Sequence, residues 1–270
     1  KNIAFIGAVN MNSAIITGLV NTGYSADNIM VSNPSAEKRL ALANELNILQ
    51  TGDNLVAAEF ADIIVLCVKP HLISQVCQQI SAHLDINNKC FISVAAGCSI
   101  ATIEKALNQP CAVIRTMPNT PSQLGLGVTG LFASEHAVQH QIDIAEQIMS
   151  SIGITKWLNN EQEIDHIIAV SGSGPAYFFL FMEAMEQQAQ ALGFNAQESR
   201  QLVQQTALGA ASMVCQSNLA IGQLRENVTS KGGTTQAALA TFNDGGLAQL
   251  VSKAMNSALQ RAQEMAKDNA

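Results

Sequence analysis

Short, nearly continuous apolar runs alternate with amphipathic stretches through the first half of this chain. The runs at residues 3–6, 29–32, 63–68, 90–94, 112–117 and 128–133 are rich in Ile, Val, Phe and Cys and predict β-strands. Between them, residues 11–21, 36–46, 70–84 and 100–107 carry apolar side chains at helical spacing. Strand and helix in turn predict an α/β fold with a mainly parallel, doubly wound sheet. A run as apolar as Ile63-Ile64-Val65-Leu66 fits a sheet covered on both faces.

Past Trp157 the pattern changes. Helices are predicted at residues 162–170, 175–192, 196–216, 221–227, 231–243 and 247–267, with no convincing strand among them. The chain therefore divides near residues 158–160: an α/β domain over 1–158 and an all-helical domain over 159–270. The run Tyr177-Phe178-Phe179-Leu180-Phe181-Met182 is apolar all round and should bury more than one face. Dimerisation through the helical domain is the expected outlet.

Composition narrows the partners. The chain has 270 residues, 48% hydrophobic and 13% charged, with a formal net charge of −7. No lysine or arginine cluster appears, which argues against nucleic acid. Cys67, Cys77, Cys90, Cys98, Cys111 and Cys215 show no C-x-x-C spacing, and several lie in apolar runs. They are expected to be reduced core thiols of a cytoplasmic protein. Lys1-Asn2 leads straight into a strand, so no leader is expected, and no run of about 18 apolar residues predicts a membrane helix. The histidines lack metal-ligand spacing, and no metal is expected.

The first predicted strand ends in Gly7-Ala8-Val9-Asn10-Met11-Asn12, followed by a helix. This is the place of a Rossmann phosphate loop, where glycines let the backbone approach a dinucleotide pyrophosphate. Only Gly7 of the three glycine positions is present; Val9 and Asn12 stand at the others. Valine obstructs both positive φ and close approach. After the second strand, Asn33 stands where NAD enzymes place an acid for the ribose diol, with Ser35, Lys38 and Arg39 following. Neutral donors beside cations suit a 2′-phosphate, so NADPH is expected, with NADH as the alternative. Val68-Lys69-Pro70, Ala95-Ala96-Gly97 and Met117-Pro118-Asn119 also fall at strand ends, where doubly wound sheets bind ligands. The last, continuing into Thr120-Pro121, makes a rigid turn fit to hold a carboxamide.

Two loops in the helical half carry small residues. Ser171-Gly172-Ser173-Gly174 precedes Pro175, which suits a first helical turn. Leu224 to Leu239 holds Ser230, Gly232, Gly233, Thr234 and Thr235 in a stretch otherwise suited to helix. With Ser230 as N-cap and residues 231–233 as the first turn, free N–H groups would form a site for a small carboxylate. An ordinary capped turn is the alternative.

In this order the motifs resemble those of the pyrroline-5-carboxylate reductase family. The resemblance covers essentially the whole chain and rests on VKP at 68–70, AAG at 95–97, RTMPNTP at 115–121, SGSGPAY at 171–177 and LRENVTSKGGTT at 224–235. It implies an NADP-binding Rossmann domain, a helical domain that interlocks two subunits, and dimers assembled into larger rings in many members. It also implies NAD(P)H-dependent reduction of 1-pyrroline-5-carboxylate, a small imine carboxylate, to L-proline, the last step of proline biosynthesis. By this resemblance Gly7, Asn10 and Met11 belong to the pyrophosphate loop, and Asn33 and Ser35 lie near the ribose phosphate. Lys69, Ala95 and Asn119 line the cofactor groove. Residues 232–235 hold the substrate carboxylate, with 171–174 closing the other side. The family typically has glycine where Val9 stands and proline where Lys231 stands. Thr235 is expected to hydrogen-bond the substrate nitrogen and to donate or relay its proton. Two other readings stand beside this one. One is a related imine or hydroxyacid oxidoreductase, with Lys231 a candidate base by position. The other is a non-catalytic dimeric protein in which Val9 blocks the cofactor.

Overall fold

In the computed structural model of the protein, residues 1–7 and 10–270 are described, so Ala8 and Val9 lie outside the description. The described residues form one eight-stranded sheet. Its strands are β1 (Ile3–Ile6), β2 (Ile29–Ser32), β3 (Leu49–Thr51), β4 (Ile63–Leu66), β5 (Cys90–Ser93), β6 (Ala112–Met117), β7 (Gly127–Ala133) and β8 (Gly153–Trp157). The spatial order is β3-β2-β1-β4-β5-β6-β7-β8. Strands β1 to β6 are parallel, β7 runs antiparallel to β6, and β8 follows β7.

Alternation along the strands builds two cores, one on each face. Ile3, Phe5, Val65, Ile92 and Ile114 pack with Ile15, Ile16 and Leu19 of helix α1 (Asn10–Asn21). Ala4, Ile6, Ile64, Phe91 and Val113 pack on the opposite face. They meet Ile73, Cys77 and Ile80 of α4 (Pro70–His83) and Ile103 of α5 (Ile100–Leu107). Each fully buried large side chain is worth about 1.5–3 kcal/mol, and these two clusters anchor the sheet whose edge carries the candidate site.

The remaining helices of this half are α2 (Ala36–Leu46), α3 (Asn54–Phe60) and α6 (Gln139–Ser150). The sequence pattern does not announce β3, β8, α3 or α6. Strands β3 and β8 are sheet edges with mostly exposed or half-exposed side chains, so they lack an apolar run. Helix α3 is short and starts from the Asp53 cap, whose Oδ1 accepts the Leu55 N–H at 2.8 Å. Helix α6 buries Gln141 beside Ala145, Ile148 and Met149, a polar break in its inner face.

From Trp157 onward the chain is helical: α7 (Glu163–Ile167), α8 (Gly174–Ala191), α9 (Ala196–Gln216), α10 (Ile221–Asn227), α11 (Thr234–Asp244) and α12 (Leu247–Asp268). Where one helix is predicted over 162–170, α7 passes instead into a π-helical turn, Ile168–Gly172. The Ser171 hydroxyl donates to the Ile167 carbonyl at 3.1 Å, competing for the acceptor of the ordinary ladder, and the Ser173 N–H reaches back to Ile168 at 2.8 Å.

Two compact units result: Lys1–Ser173 with Ala258–Ala270, and Gly174–Ser257. The first runs beyond the change of pattern near residue 158 because α7 packs against β6 and β7. In the second, α8 packs on α9 and the rings of Phe181 and Phe242 lie 5.8 Å apart. Phe178, Phe179 and Leu180 are 69%, 63% and 69% exposed, leaving an apolar face on α8. The stretch Glu163–Ala191 is long and apolar enough to cross a membrane by length and composition, although the sequence contains no unbroken run of that kind. Of the six thiols, Cys215, one residue from the end of α9, is exposed, against expectation; the other five are buried and all are free.

Candidate active site

The chain leaves β1 toward β2 on one side, whereas β4 leads to β5 on the other. The carboxyl ends of β1 and β4 therefore flank a topological switch point, where doubly wound sheets bind ligands. Gly7 lies there at φ +101°, and a Cβ on it would sit 2.6 Å from the Cys67 carbonyl oxygen. Its N–H donates to the Ser32 carbonyl at 2.8 Å. Only glycine satisfies this position. Asn12 stands where the fingerprint has its third glycine. It is fully buried, and its Nδ2 donates to the Gly7 carbonyl, a tie that glycine could not make. Its Oδ1 has no partner among the described residues. Asn10 and Met11 open α1, so free N–H groups of its first turn lie just after the loop.

At the end of β2, the Ser32 hydroxyl donates to Asn54 Oδ1 at 2.7 Å, and the Asn33 N–H donates to the Thr51 carbonyl at 3.3 Å. The Asn33 amide donates to the Ser35 carbonyl at 3.3 Å. Arg39 curls back onto this loop, donating from Nη1 to the Asn33 carbonyl at 3.1 Å and the Pro34 carbonyl at 3.3 Å. A third bond, from Arg39 Nε to Gln50 Oε1 at 2.9 Å, fixes the guanidinium beside this neutral strand end. Lys38 points elsewhere, into a groove lined by Asn10, Ser13 and Gln123.

The other strand-end loops lie along the same carboxyl edge. Lys69 occupies the N-cap position of α4, with Pro70 in its first turn; Val68 precedes them. The Ala95 N–H donates to Ser93 Oγ at 3.3 Å, and Thr116 Oγ1 donates to the Ser93 carbonyl at 2.9 Å. These bonds tie the loop Ala95-Ala96-Gly97 to the end of β6. From β6 the chain passes through Met117 and Pro118 to Asn119. There the side-chain amide donates to the Ser171 carbonyl at 2.9 Å while its Oδ1 accepts the Val128 N–H at 2.8 Å.

A buried ion pair lies behind this edge. Arg115, only 5% exposed, donates from Nη1 to Glu161 Oε1 at 3.1 Å. The same oxygen accepts the Ile100 N–H at 2.8 Å, at the start of α5. Arg115 Nε and Nη2 have no partner among the described residues. Burial raises the Asp165 carboxyl above its ordinary pKa, with Arg115 and His166 opposing and Glu161 adding to the rise. Arg115, Glu161 and Asn12 are not among the site residues anticipated from sequence. An arginine inside the strand AVIRTM is the local signal for the ion pair, and an asparagine at a glycine position of the phosphate loop is the signal for Asn12.

The predicted substrate residues divide between the units. Ser171, Gly172 and Ser173 close the first, whereas Gly174 and residues 230–235 belong to the second. The helix after the glycine pair begins at Thr234, not Lys231, and Gly233 rather than Ser230 occupies its N-cap position without a side-chain cap. The reason is Gly232, whose φ of +74° is outside the helical range. Its N–H donates to Gln236 Oε1 at 2.6 Å, and the Gly233 N–H donates to the Ser230 carbonyl at 3.1 Å. The glycines thus shape the turn itself. The N–H groups of Thr234 and Thr235 stand in the first turn of α11, where no intrahelical acceptor exists. Thr234 is exposed and Thr235 half-buried.

The strand order, with Gly7 at its switch point, is that of a Rossmann-type dinucleotide-binding fold, and residues 2–97 match the family described as NADP oxidoreductase, coenzyme F420-dependent. Residues 161–265 match the family described as pyrroline-5-carboxylate reductase dimerisation. The pyrroline-5-carboxylate reductase of Vibrio alginolyticus is 50% identical over 268 residues, covering 99% of this chain and 98% of that protein. The structure of a pyrroline-5-carboxylate reductase from Coxiella burnetii superposes with a TM-score of 0.94 at 41% identity, covering 98% of each chain. That of the Plasmodium falciparum enzyme, with NADP bound, gives 0.85 at 27% identity, again over 98% of each. The chain belongs to the pyrroline-5-carboxylate reductase family and is an NAD(P)H-dependent oxidoreductase.

Proposed function

We propose that the chain carries out the reaction of its family with a division of labour between its Rossmann-like and helical halves. The reaction is NAD(P)H-dependent reduction of 1-pyrroline-5-carboxylate to L-proline. The Rossmann-like half, residues 1–158, holds the dinucleotide; the helical half, 159–270, holds the substrate and the dimer contacts. The observation that carries the cofactor assignment is Gly7, whose missing side chain lets the end of β1 lie against the Cys67 carbonyl, just past β4, at the switch point. Gly7, Asn10 and Met11 take the pyrophosphate, and Asn33 and Ser35, with Arg39 behind them, take the ribose phosphate. Residues 68–70, 95–97 and 117–119 line the groove. NADPH, when bound, supplies the hydride.

The chain's own part is to bind, orient and protonate. The first-turn N–H groups of α11 and the turn from Ser230 through Gly233 hold the substrate carboxylate. Residues 171–174 serve the substrate as well. The Thr235 hydroxyl hydrogen-bonds the ring nitrogen and relays a proton to it, taking one from solvent as it gives its own. Positioning of this kind supplies most of the rate in a reaction that needs no covalent intermediate. Dimers formed through the helical half assemble further into a ring, and the free buried thiols suit the cytoplasm.

NADPH oxidation measured with pyrroline-5-carboxylate, with NADH beside it, tests the activity. Turnover with the imine is expected, faster with NADPH; oxidation no faster than without the imine would refute it. Thr235→Val is expected to lower kcat about 10- to 100-fold, the usual scale for losing one proton-transfer group, with the NADPH KM unchanged. A variant with full kcat would remove Thr235 from the chemistry.

A further inference from the structure

The side chain of Asn119 joins two loops that lie 52 residues apart in sequence. It is 8% exposed, and it occupies both ends of its amide within the protein: Oδ1 accepts from Val128 and Nδ2 donates to the Ser171 carbonyl. The first bond closes the base of the β6–β7 connection, which turns through a short 3-10 segment starting at Thr120. The second meets a specific need. In a helix the Ser171 carbonyl would accept from the residue four positions on, and that residue is Pro175, which has no N–H. The π-turn Ile168–Gly172 therefore ends with a carbonyl that its own helix does not satisfy in the ordinary way, and Asn119 supplies a donor. Packing follows the same line: the Met117 methyl lies 3.7 Å from where a Gly172 side chain would begin.

We propose that Asn119 is a positioning residue that fixes the turn at residues 171–173 to the carboxyl edge of the sheet in the form the substrate requires. Its amide acts on the Ser171 backbone, and both ends of that amide are taken up within the protein. An amide is needed because one planar group must both accept and donate. Aspartate keeps the bond from Val128, loses the bond to Ser171, and turns a carboxylate oxygen toward a carbonyl. The proposal rests on assigning residues 171–174 to the substrate.

The experiment pairs steady-state kinetics with hydrogen exchange on Asn119→Asp. Loss of a buried hydrogen bond that leaves its acceptor unpaired should raise the KM for the imine about tenfold. The NADPH KM should stay within about twofold, because both ends of the Asn119 amide bond to protein and leave none for the cofactor. Peptides covering residues 164–176 should exchange about tenfold faster, with β4 and β5 unaltered. The double variant Asn119→Asp/Pro175→Ala, which gives the Ser171 carbonyl an N–H from its own helix, should regain part of the substrate affinity. Should Asn119→Asp not fold, Asn119→Ser carries the same comparison without the charge. Unaltered exchange over 164–176 overturns the anchor. A raised NADPH KM with an unchanged imine KM overturns it too, making Asn119 a direct cofactor contact. Faster exchange with both constants unchanged leaves the anchor and overturns the substrate role of the turn.

Discussion

Gly7→Ala is expected to abolish measurable NADPH binding and to lower the melting temperature. Two costs act together. An L-residue held at φ +101° is strained by roughly 1–2 kcal/mol. The new methyl would also stand 2.6 Å from the Cys67 carbonyl oxygen. Relieving it means parting the ends of β1 and β4, an overpacking cost of about 1–3 kcal/mol. Because that parting occurs at the switch point, most of its effect should fall on the ligand: a loss of at least about 100-fold in NADPH affinity, or close to 3 kcal/mol. Fluorescence titration with NADPH and a thermal melt measure the two effects separately. A variant that binds NADPH as tightly as the parent would place the cofactor elsewhere.

The Arg115–Glu161 pair gives the second large effect, and its sign depends on which partner is removed. Glu161→Ala leaves a guanidinium buried without its counter-ion, a loss of about 3–5 kcal/mol in such pairs. It also deprives the Ile100 N–H of its acceptor. Arg115→Met removes the charge itself, fills similar space with apolar atoms, and eliminates the two unpartnered donors, Nε and Nη2. Urea unfolding should therefore show Glu161→Ala far less stable than Arg115→Met, with the double variant close to Arg115→Met. The opposite order would mean that the guanidinium, and not its neutralisation, holds β6 and α5 in place.

The parts of the fold visible in sequence are those whose pattern is set locally. β1, β2 and β6 lie where apolar runs are flanked by polar residues, and α9 and α10 begin and end where helical spacing does. Asn195 and Glu198 cap α9 reciprocally, each bond 2.9 Å, a device readable from four residues. Edge strands escape because exposure removes their apolar signature. The π-turn escapes because it depends on where one serine hydroxyl points. Strand-end loops could be located as candidate ligand positions because connectivity alone places them on one edge. Their hydrogen bonds could not, since Asn119 with Ser171 and Arg115 with Glu161 meet only after the sheet forms. The glycine pair at 232–233 was visible as an anomaly, but its local cause, a left-handed turn ahead of Thr234, was not.

The exposed apolar face of α8 has a consequence for the population of molecules. A chain that leaves Phe178, Phe179 and Leu180 in water, in a segment matching a dimerisation family, ties its folding to how many copies surround it. By mass action its stability rises with its own concentration. A substitution on that face then acts as a dilution would, and a cell making few copies would feel it before a cell making many.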